Sequence, residues 1–161
     1  MNIRRIRNLV LALSVVALTA CQTTAARQID ANFKSTIALA VAANRQLASI
    51  AERAAGIWKV EIEGVSQELV FAIEDIQSPD GKTLQAKALA GVSGEGVRPV
   101  DATIKPTDTG YSLSFYSPSG LLLTAESGAD ANRMGGTASR AKGSRPAMFT
   151  KILSTVAKAA S

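Results

Sequence analysis

Few side chains in this sequence could do chemistry, and their types already exclude several mechanisms. The sequence contains no histidine and a single cysteine, Cys21. Histidine is the commonest general base near neutral pH and a frequent metal ligand, so Ser/His/Asp catalysis, Cys/His catalysis and histidine-based zinc chemistry are excluded. A single cysteine also permits no disulfide within the chain.

Acid–base chemistry by carboxylates, or by a Ser/Lys pair, stays possible in principle. The densest acidic group consists of Glu61, Glu63, Glu74 and Asp75. The three glutamates fall at alternating, outward-looking positions of predicted strands and Asp75 lies near a predicted turn, so a solvated face explains the group better than a catalytic one. We therefore predict a binding or structural module, with no catalytic residues, no metal site and no cofactor apart from covalent lipid on Cys21.

Cys21 ends an N-terminal segment that has three parts. Basic Arg4, Arg5 and Arg7 precede a mostly apolar run from Leu9 to Ala20, and Cys21 follows directly. The run is shorter than the roughly 20 residues that a helix needs to cross a bilayer. This order is typical of a secretory signal peptide, here over residues 1–20.

The residues Leu18-Thr19-Ala20-Cys21 resemble the lipobox of bacterial lipoproteins. The resemblance implies that the Cys21 thiol receives a diacylglyceryl group, that cleavage frees its amine, and that the amine can be acylated in turn. Two or three chains anchor firmly, since each buried methylene contributes roughly 0.8 kcal/mol. Gln22 stands where an aspartate would resemble an inner-membrane retention signal, which favours the periplasmic face of the outer membrane. An ordinary signal peptide and an uncleaved anchor are the alternatives.

The charge of the chain gives little support to nucleic-acid binding. Loss of residues 1–20 would lower the net charge from +5 to about +2. Nucleic-acid binding favours a clustered basic face with aromatic residues, and no such partner is predicted. The C-terminal part is nonetheless basic and could contact anionic lipid or an acidic partner, or simply face water; its basic residues are Arg133, Arg140, Lys142, Arg145, Lys151 and Lys158.

Residues 29–55 contain no glycine or proline, and their apolar residues recur mostly three or four apart, which predicts an amphipathic, Ala-rich helix. Asp30 or Asn32 could cap its start, and Gly56 marks its end. Residues 21–28 would then be a short tether. The helix could pack on its own domain, or its stripe of small residues, broken by Asn44, could bind another helix.

From Gly56 onward the apolar period changes to two, which predicts strands. The predicted inward residues are Trp58, Val60 and Ile62; Leu69, Phe71 and Ile73; Leu84, Ala86, Ala88 and Ala90; Val100, Ala102 and Ile104; Tyr111, Leu113 and Phe115; and Leu121, Leu123 and Ala125. Weaker strands run over 134–140 and 147–153, and Gly-containing turns separate the elements. We predict a mainly β fold: an up-and-down antiparallel meander of about eight strands over residues 56–155, closed as a small barrel, with a tail over 156–161. A strongly curved open sheet covered by the helix is the alternative.

The start of the first predicted strand, Gly56-Ile57-Trp58, resembles the Gly-x-Trp start of calycins, the lipocalin and avidin-like barrels. The resemblance implies that a basic residue from near the last strand, here Lys151 or Arg145, packs across Trp58. It also implies a cavity for an apolar ligand, lined by Trp58, Phe71, Tyr111, Phe115 and Met134. A filled core explains those same residues without a ligand.

The sequence therefore predicts an envelope lipoprotein that is bound to the membrane and acts as a non-catalytic binding module for a small apolar ligand or a protein partner. A structural or assembly lipoprotein that docks through its helix is the second hypothesis, and would present an exposed stripe at Phe33, Ile37 and Leu47. A periplasmic enzyme inhibitor is the third, with protruding loops over 91–97 or 130–133. The oligomeric state is not predicted.

Overall fold

The structure is a computed structural model of the chain, and it describes residues 36–93, 95–153 and 158–159. The predicted signal peptide, the tether and Cys21 lie outside the described residues. The described elements are β1 (Thr36–Ile37), α1 (Leu39–Ala42), α2 (Arg45–Ala54), β2 (Gly56–Ile62), β3 (Leu69–Gln77), β4 (Leu84–Val92), β5 (Gly96–Thr107), β6 (Gly110–Tyr116), β7 (Leu122–Ser127), β8 (Arg133–Arg140), β9 (Gly143–Leu153) and β10 (Lys158–Ala159).

Strands β2 to β9 form the closed antiparallel barrel that the sequence predicts. Each strand from β2 onward pairs with the next along the chain, and β9 returns to pair with β2, where Trp58 lies opposite Lys151. Closure leaves none of these eight strands at an edge. The two short strands add to the barrel at one end, since β1 runs parallel to both β3 and β10.

The predicted alternation is confirmed by burial. The inward positions of β2, β4, β6 and β7 are buried, and only Val100 and Leu121 among the predicted inward residues are half-buried. On β3 the alternation shifts, because Glu74 and Asp75 lie between the pairs Ile73–Ala88 and Ile76–Ala86. This β-bulge turns both isoleucines inward although they are three residues apart.

The single helix predicted over 29–55 is wrong for the part that the structure describes. Residues 36–37 are strand, and two helices follow, separated at Ala43 and Asn44. Asn44 begins the second helix as its N-cap, where Oδ1 accepts hydrogen bonds from the main-chain N–H groups of Gln46 and Leu47 at 3.1 and 3.2 Å. Asparagine stabilises a helix start better than a helix interior, so a second helix begins at this residue.

Of the predicted boundaries at the two ends of the barrel sequence, the first agrees with the structure and the second does not. Gly56 has φ 132°, in the region that favours glycine, and strand β2 begins there as expected. At the other end, two residues of the predicted 156–161 tail form β10 instead, because the main chain of Lys158 and Ala159 pairs with β1. Neither described helix has the length and apolar character that a membrane span requires.

Candidate functional site

The five residues predicted to line a cavity form a packed core inside the barrel. Trp58, Phe71, Tyr111, Phe115 and Met134 are each at most 2% exposed. The rings of Phe71 and Phe115 lie 4.7 Å apart, and Trp58 stacks on Phe71 with 6.3 Å between centroids. Such contacts fill the inside of the barrel with aromatic area.

The sequence interpretation missed one member of this core. Phe149 of β9 meets Phe71 edge-on at 6.1 Å and is completely buried. Its signal was the alternation of Ala147, Phe149 and Lys151 in the weaker last strand. None of the five predicted side chains lines any of four concavities among the described residues, which lie on β5 to β8, around β2 and β9, and at one end of the barrel.

The C-terminus of α2 is fastened to one end of the barrel by three side chains. The Trp58 indole Nε1 donates to the Ala54 carbonyl at 2.9 Å, while the Tyr111 hydroxyl and the Lys151 ammonium donate to the Arg53 carbonyl at 3.4 and 2.5 Å. The last carbonyls of a helix have no partner within the helix, so these donors satisfy them. The same face of α2 buries Leu47, Ile50, Ala51 and Ala54 in the barrel core.

Lys151 is the basic residue that packs across Trp58. Its Nζ lies 4.8 Å from the centre of the ring, where a cation is attracted by the negative face of the indole. Arg145, the other basic residue that the resemblance implied, donates from Nη1 to the carbonyls of Glu63 and Gly64 at 3.3 Å. Lys151 is thus held by a main-chain carbonyl and an indole ring, which suits attachment of the helix rather than reaction with a substrate.

Burial shifts two titrations at this end of the barrel. It lowers the pKa of Lys151 from 10.5 to about 8, with a smaller contribution from the positive charge of Arg53. It raises the pKa of Tyr111 from 10.0 to about 12, a shift that the same Arg53 opposes. Each shift favours the neutral form of the side chain, as removal from water does.

These shifts predict how stability depends on pH. The folded protein prefers neutral Lys151, so its free energy of unfolding should rise between about pH 8 and pH 10 and lose that gain as the pH falls through about 8. Tyr111 acts in the opposite direction above pH 10, since the unfolded chain ionises there first. In Lys151→Met, the increase in the free energy of unfolding between about pH 8 and pH 10 should disappear, whereas the decrease above pH 10 should remain. Urea unfolding at a series of pH values measures both. An unchanged slope between pH 8 and 10 in the variant would contradict this assignment.

The acidic group lies on the outside of the barrel. Glu61, Glu63 and Asp75 are exposed, and Glu61 forms an ion pair with Lys59 at 2.9 Å. Glu74 is half-buried, and loss of water, with Asp75 beside it, raises the pKa of its carboxyl. Within residues 36–93, 95–153 and 158–159, no three metal-ligating side chains come together.

The basic residues of the C-terminal part do not form one patch. Arg140, near the β8–β9 turn, donates to the Ser119 carbonyl at 2.8 Å, and Arg145 contacts the turn after β2. Arg133 begins β8 at the other end, where Lys151 is half-buried against Trp58. The side chain of Lys158 is not among those described.

The outer surface of β6 to β9 carries a set of small hydroxyl side chains, which we call the hydroxyl face: Ser112, Ser114, Thr124, Thr137, Ser139 and Ser144. Thr124 and Thr137 share a hydrogen bond at 2.9 Å, and Ser139 donates to Ser144 at 3.0 Å. A shallow concavity of about 520 Å³ opens here, bordered by Lys105 and Glu126 and floored in part by Gly135. The exposed ring of Tyr116 lies in line with Ser112 and Ser114 on β6.

The sequence interpretation also missed this face, although alternation contained its signal. Ser112 and Ser114 alternate with the predicted inward residues Tyr111, Leu113 and Phe115. The opposite outer surface differs in kind, since both described ion pairs, Lys59–Glu61 and Lys87–Asp101, lie on β2, β4 and β5. A hydroxyl also lies on that surface, where Thr103 donates to Gln85 at 3.2 Å, but the small hydroxyls cluster most densely on β6 to β9.

The sequence matches no protein-family model and none of the curated proteins. Three chains of solved structures are similar, among them two beta barrels that were designed or redesigned. A fluorescence-activating beta barrel designed de novo is 12% identical over 60% of this chain and 91% of that chain, with a TM-score of 0.42. A redesigned beta barrel, mFAP1, bound to DFHBI, is 18% identical over 62% of this chain and 95% of that chain, with a TM-score of 0.39. At these identities and scores neither resemblance carries an argument about what this chain binds.

Proposed function

We propose that the chain is a lipid-anchored, non-catalytic module of a bacterial envelope that binds a protein partner through its hydroxyl face. The single observation that carries the choice of surface is the clustering of small hydroxyls around an open concavity on β6 to β8. The anchor and its location on the periplasmic side of the outer membrane are supported by the lipobox-like residues that end at Cys21.

The chemistry of the hydroxyl face favours a protein partner. Serine and threonine lose little side-chain entropy when they are immobilised, and each hydroxyl can donate or accept a hydrogen bond. Together with an exposed tyrosine, such residues make the adaptable polar contacts and the rigid anchor that binding surfaces use. A concavity of about 520 Å³ that is open to solvent suits an opposing surface better than a buried small molecule.

The interior of the barrel gives no comparable support to an apolar ligand. Trp58, Phe71 and Phe115 contact one another, and the concavity near the open end, between Ile62, Leu69 and Leu121, measures about 30 Å³. This volume holds about one water molecule. Binding in the interior would require the aromatic core to open.

The two other hypotheses find less support in the described residues. Ile37 and Leu47, predicted as an exposed docking stripe, are 4% and 3% exposed, and Phe33 lies outside the described residues. The proposed inhibitor loops are tight: Glu95 N–H donates to the Val92 carbonyl at 2.9 Å, and Asn132 N–H to Asp130 Oδ1 at 2.9 Å. These hydrogen bonds tie the described residues of both turns to neighbouring main chain or side chains, which gives no support to an inhibitor loop.

The choice of surface can be tested by site-specific photocrosslinking in the bacterium's own envelope. A photoreactive side chain at Thr137, on the hydroxyl face, is expected to give a discrete crosslinked protein. The matched control at Lys87, which is equally on a strand and exposed but pairs with Asp101, is expected to give none. Equal yields from both positions, or a discrete product from position 87 alone, would overturn the proposal.

The anchor has its own test. Cys21→Ser removes the only thiol that could be lipidated, so it is expected to abolish metabolic labelling by fatty acid and to release the protein or stall its processing. A serine variant elsewhere in the same segment, Thr19→Ser, should keep the label. Labelling that persists without the Cys21 thiol would refute lipidation at this residue.

A further inference from the structure

A second apolar cluster lies outside the barrel core. Ile57, Val70 and Ala72 form a group separate from the main core, with Val97 packed partly against it. Val70 and Ala72 are 0% exposed. We call these residues, with the neighbouring Leu89 of β4, the outer apolar patch.

Strand register places this patch on the outside of the barrel. Trp58 and Phe71 lie opposite each other and point into the core, so the alternate pair Ile57 and Ala72 points outward. Val70 is in register with Lys59 on one side and Gly91 on the other. The ion pairs Lys59–Glu61 and Lys87–Asp101 lie on the strands around the patch.

The sheet itself cannot bury Val70. Gly91 has no side chain, and the Lys59 side chain is 31% exposed and turned to Glu61 at 2.9 Å. The described helices lie elsewhere, because α2 packs its apolar face into the core at the end of the barrel and fastens there through Trp58, Tyr111 and Lys151. A completely buried valine on an outer surface therefore needs a cover from another part of the chain.

The position of Thr36 indicates which part that is. Thr36 lies opposite Asp75 on β3, so the chain that precedes it arrives about 10 Å along the strand from Ala72. Residues 29–35 can span between about 10 Å as a helix and about 23 Å when extended, which is enough to reach Val70. Ile29 and Phe33 in this segment are four residues apart and share a face in a helical conformation.

We propose that residues 29–35 dock on the outer apolar patch, with Ile29 and Phe33 covering Ala72 and Val70. This inference does not depend on lipidation or on a partner. If Cys21 is lipidated as proposed above, docking leaves only residues 22–28 as a free linker. Such a linker of seven residues reaches at most about 25 Å, so the β2–β4 side of the barrel would stay close to the membrane.

Thiol accessibility tests the docking in the full chain. With Cys21→Ser as background, Ala72→Cys supplies the only thiol, and its rate of reaction with a soluble maleimide is measured. Adding Ile29→Ser and Phe33→Ser is expected to speed this reaction about tenfold or more, because the cover then opens more often. A thiol introduced by Ser114→Cys, on the hydroxyl face, is the matched control and should react equally fast with and without those two changes.

Two outcomes would overturn the proposal. If the thiol at position 72 reacts at the same rate in both backgrounds, residues 29–35 do not cover it. If Val156→Ser exposes the thiol while the changes at Ile29 and Phe33 do not, the cover is the C-terminal segment. Circular dichroism of each variant identifies any that fails to fold. For such a variant, the reaction rate is replaced by an oxidative crosslinking experiment, in which Phe33→Cys and Ala72→Cys are introduced together into the Cys21→Ser chain. Formation of the disulfide supports docking, and its failure to form refutes docking.

Discussion

Trp58→Ala is expected to lower the free energy of unfolding by about 3–5 kcal/mol, the usual cost of removing a large aromatic side chain from a core. Trp58 is completely buried and stacks on Phe71. Its removal also leaves the Ala54 carbonyl without the indole donor and Lys151 without its ring. Equilibrium urea unfolding measures this loss of stability, with Cys21→Ser as background so that no lipid can be attached at this position.

Two variants give this measurement its controls. Tyr116→Ala removes an aromatic ring that is 63% exposed, and should change stability by less than about 0.5 kcal/mol. Trp58→Phe keeps an aromatic ring but not the hydrogen bond to Ala54. Its loss of unfolding free energy should therefore lie between those of Tyr116→Ala and Trp58→Ala. A loss below about 1 kcal/mol for Trp58→Ala would mean that this side chain is not part of the core.

Gly136→Ala is expected to destabilise the barrel by about 3 kcal/mol, toward the upper end for overpacking, because the obstacle is main chain. A methyl group at this position would overlap the Thr124 carbonyl oxygen and lie 2.8 Å from the Ala125 Cα. Strands β7 and β8 pair at this point, with Gly136 opposite Ala125. Either strand must therefore shift, at the expense of the hydrogen bonds that join them.

The neighbouring glycine provides a matched control. Gly135 lies on the same strand and faces outward, and a methyl group there would meet nothing within 4 Å. Gly135→Ala should thus stay within about 0.5 kcal/mol of the parent, as surface substitutions usually do. Thermal or urea unfolding of Gly135→Ala and Gly136→Ala measures the difference. Similar stabilities of the two variants would show that the close approach of β7 to Gly136 does not constrain the fold.

The barrel was predictable because its strands obey a simple rule. One face of each strand is dry, so apolar residues recur every second position, as in Tyr111, Leu113 and Phe115. Short turns between consecutive strands then favour a meander, and closure removes the edges. The pairing of β2 with β9 follows from that argument and not from any local signal.

The departures arise where one residue overrides a pattern. Residues 29–55 look continuous by composition, but Asn44 binds two main-chain N–H groups and starts a new helix. The inward position of Ile76 depends on the bulge at Glu74 and Asp75, and β10 depends on a parallel pairing with β1. Such features are set by tertiary contacts, which periodicity does not report.

The candidate site shows the same division. The Gly-x-Trp resemblance implied Lys151 or Arg145 as the partner of Trp58, and the register of β2 with β9 places Lys151 there. The hydroxyl face was not foreseen, since serine and threonine at alternate positions indicate only solvated residues until neighbouring strands bring them side by side. Its members come from four strands, and only their register assembles them.

The seam between β2 and β9 has a consequence for biogenesis. The contact of the Lys151 ammonium with the Arg53 carbonyl joins residues 98 apart in sequence. Contacts this distant form late, because the loop between them must first be ordered, and folding of such topologies is slow. A nascent chain thus cannot close its barrel before its final long strand has been synthesised.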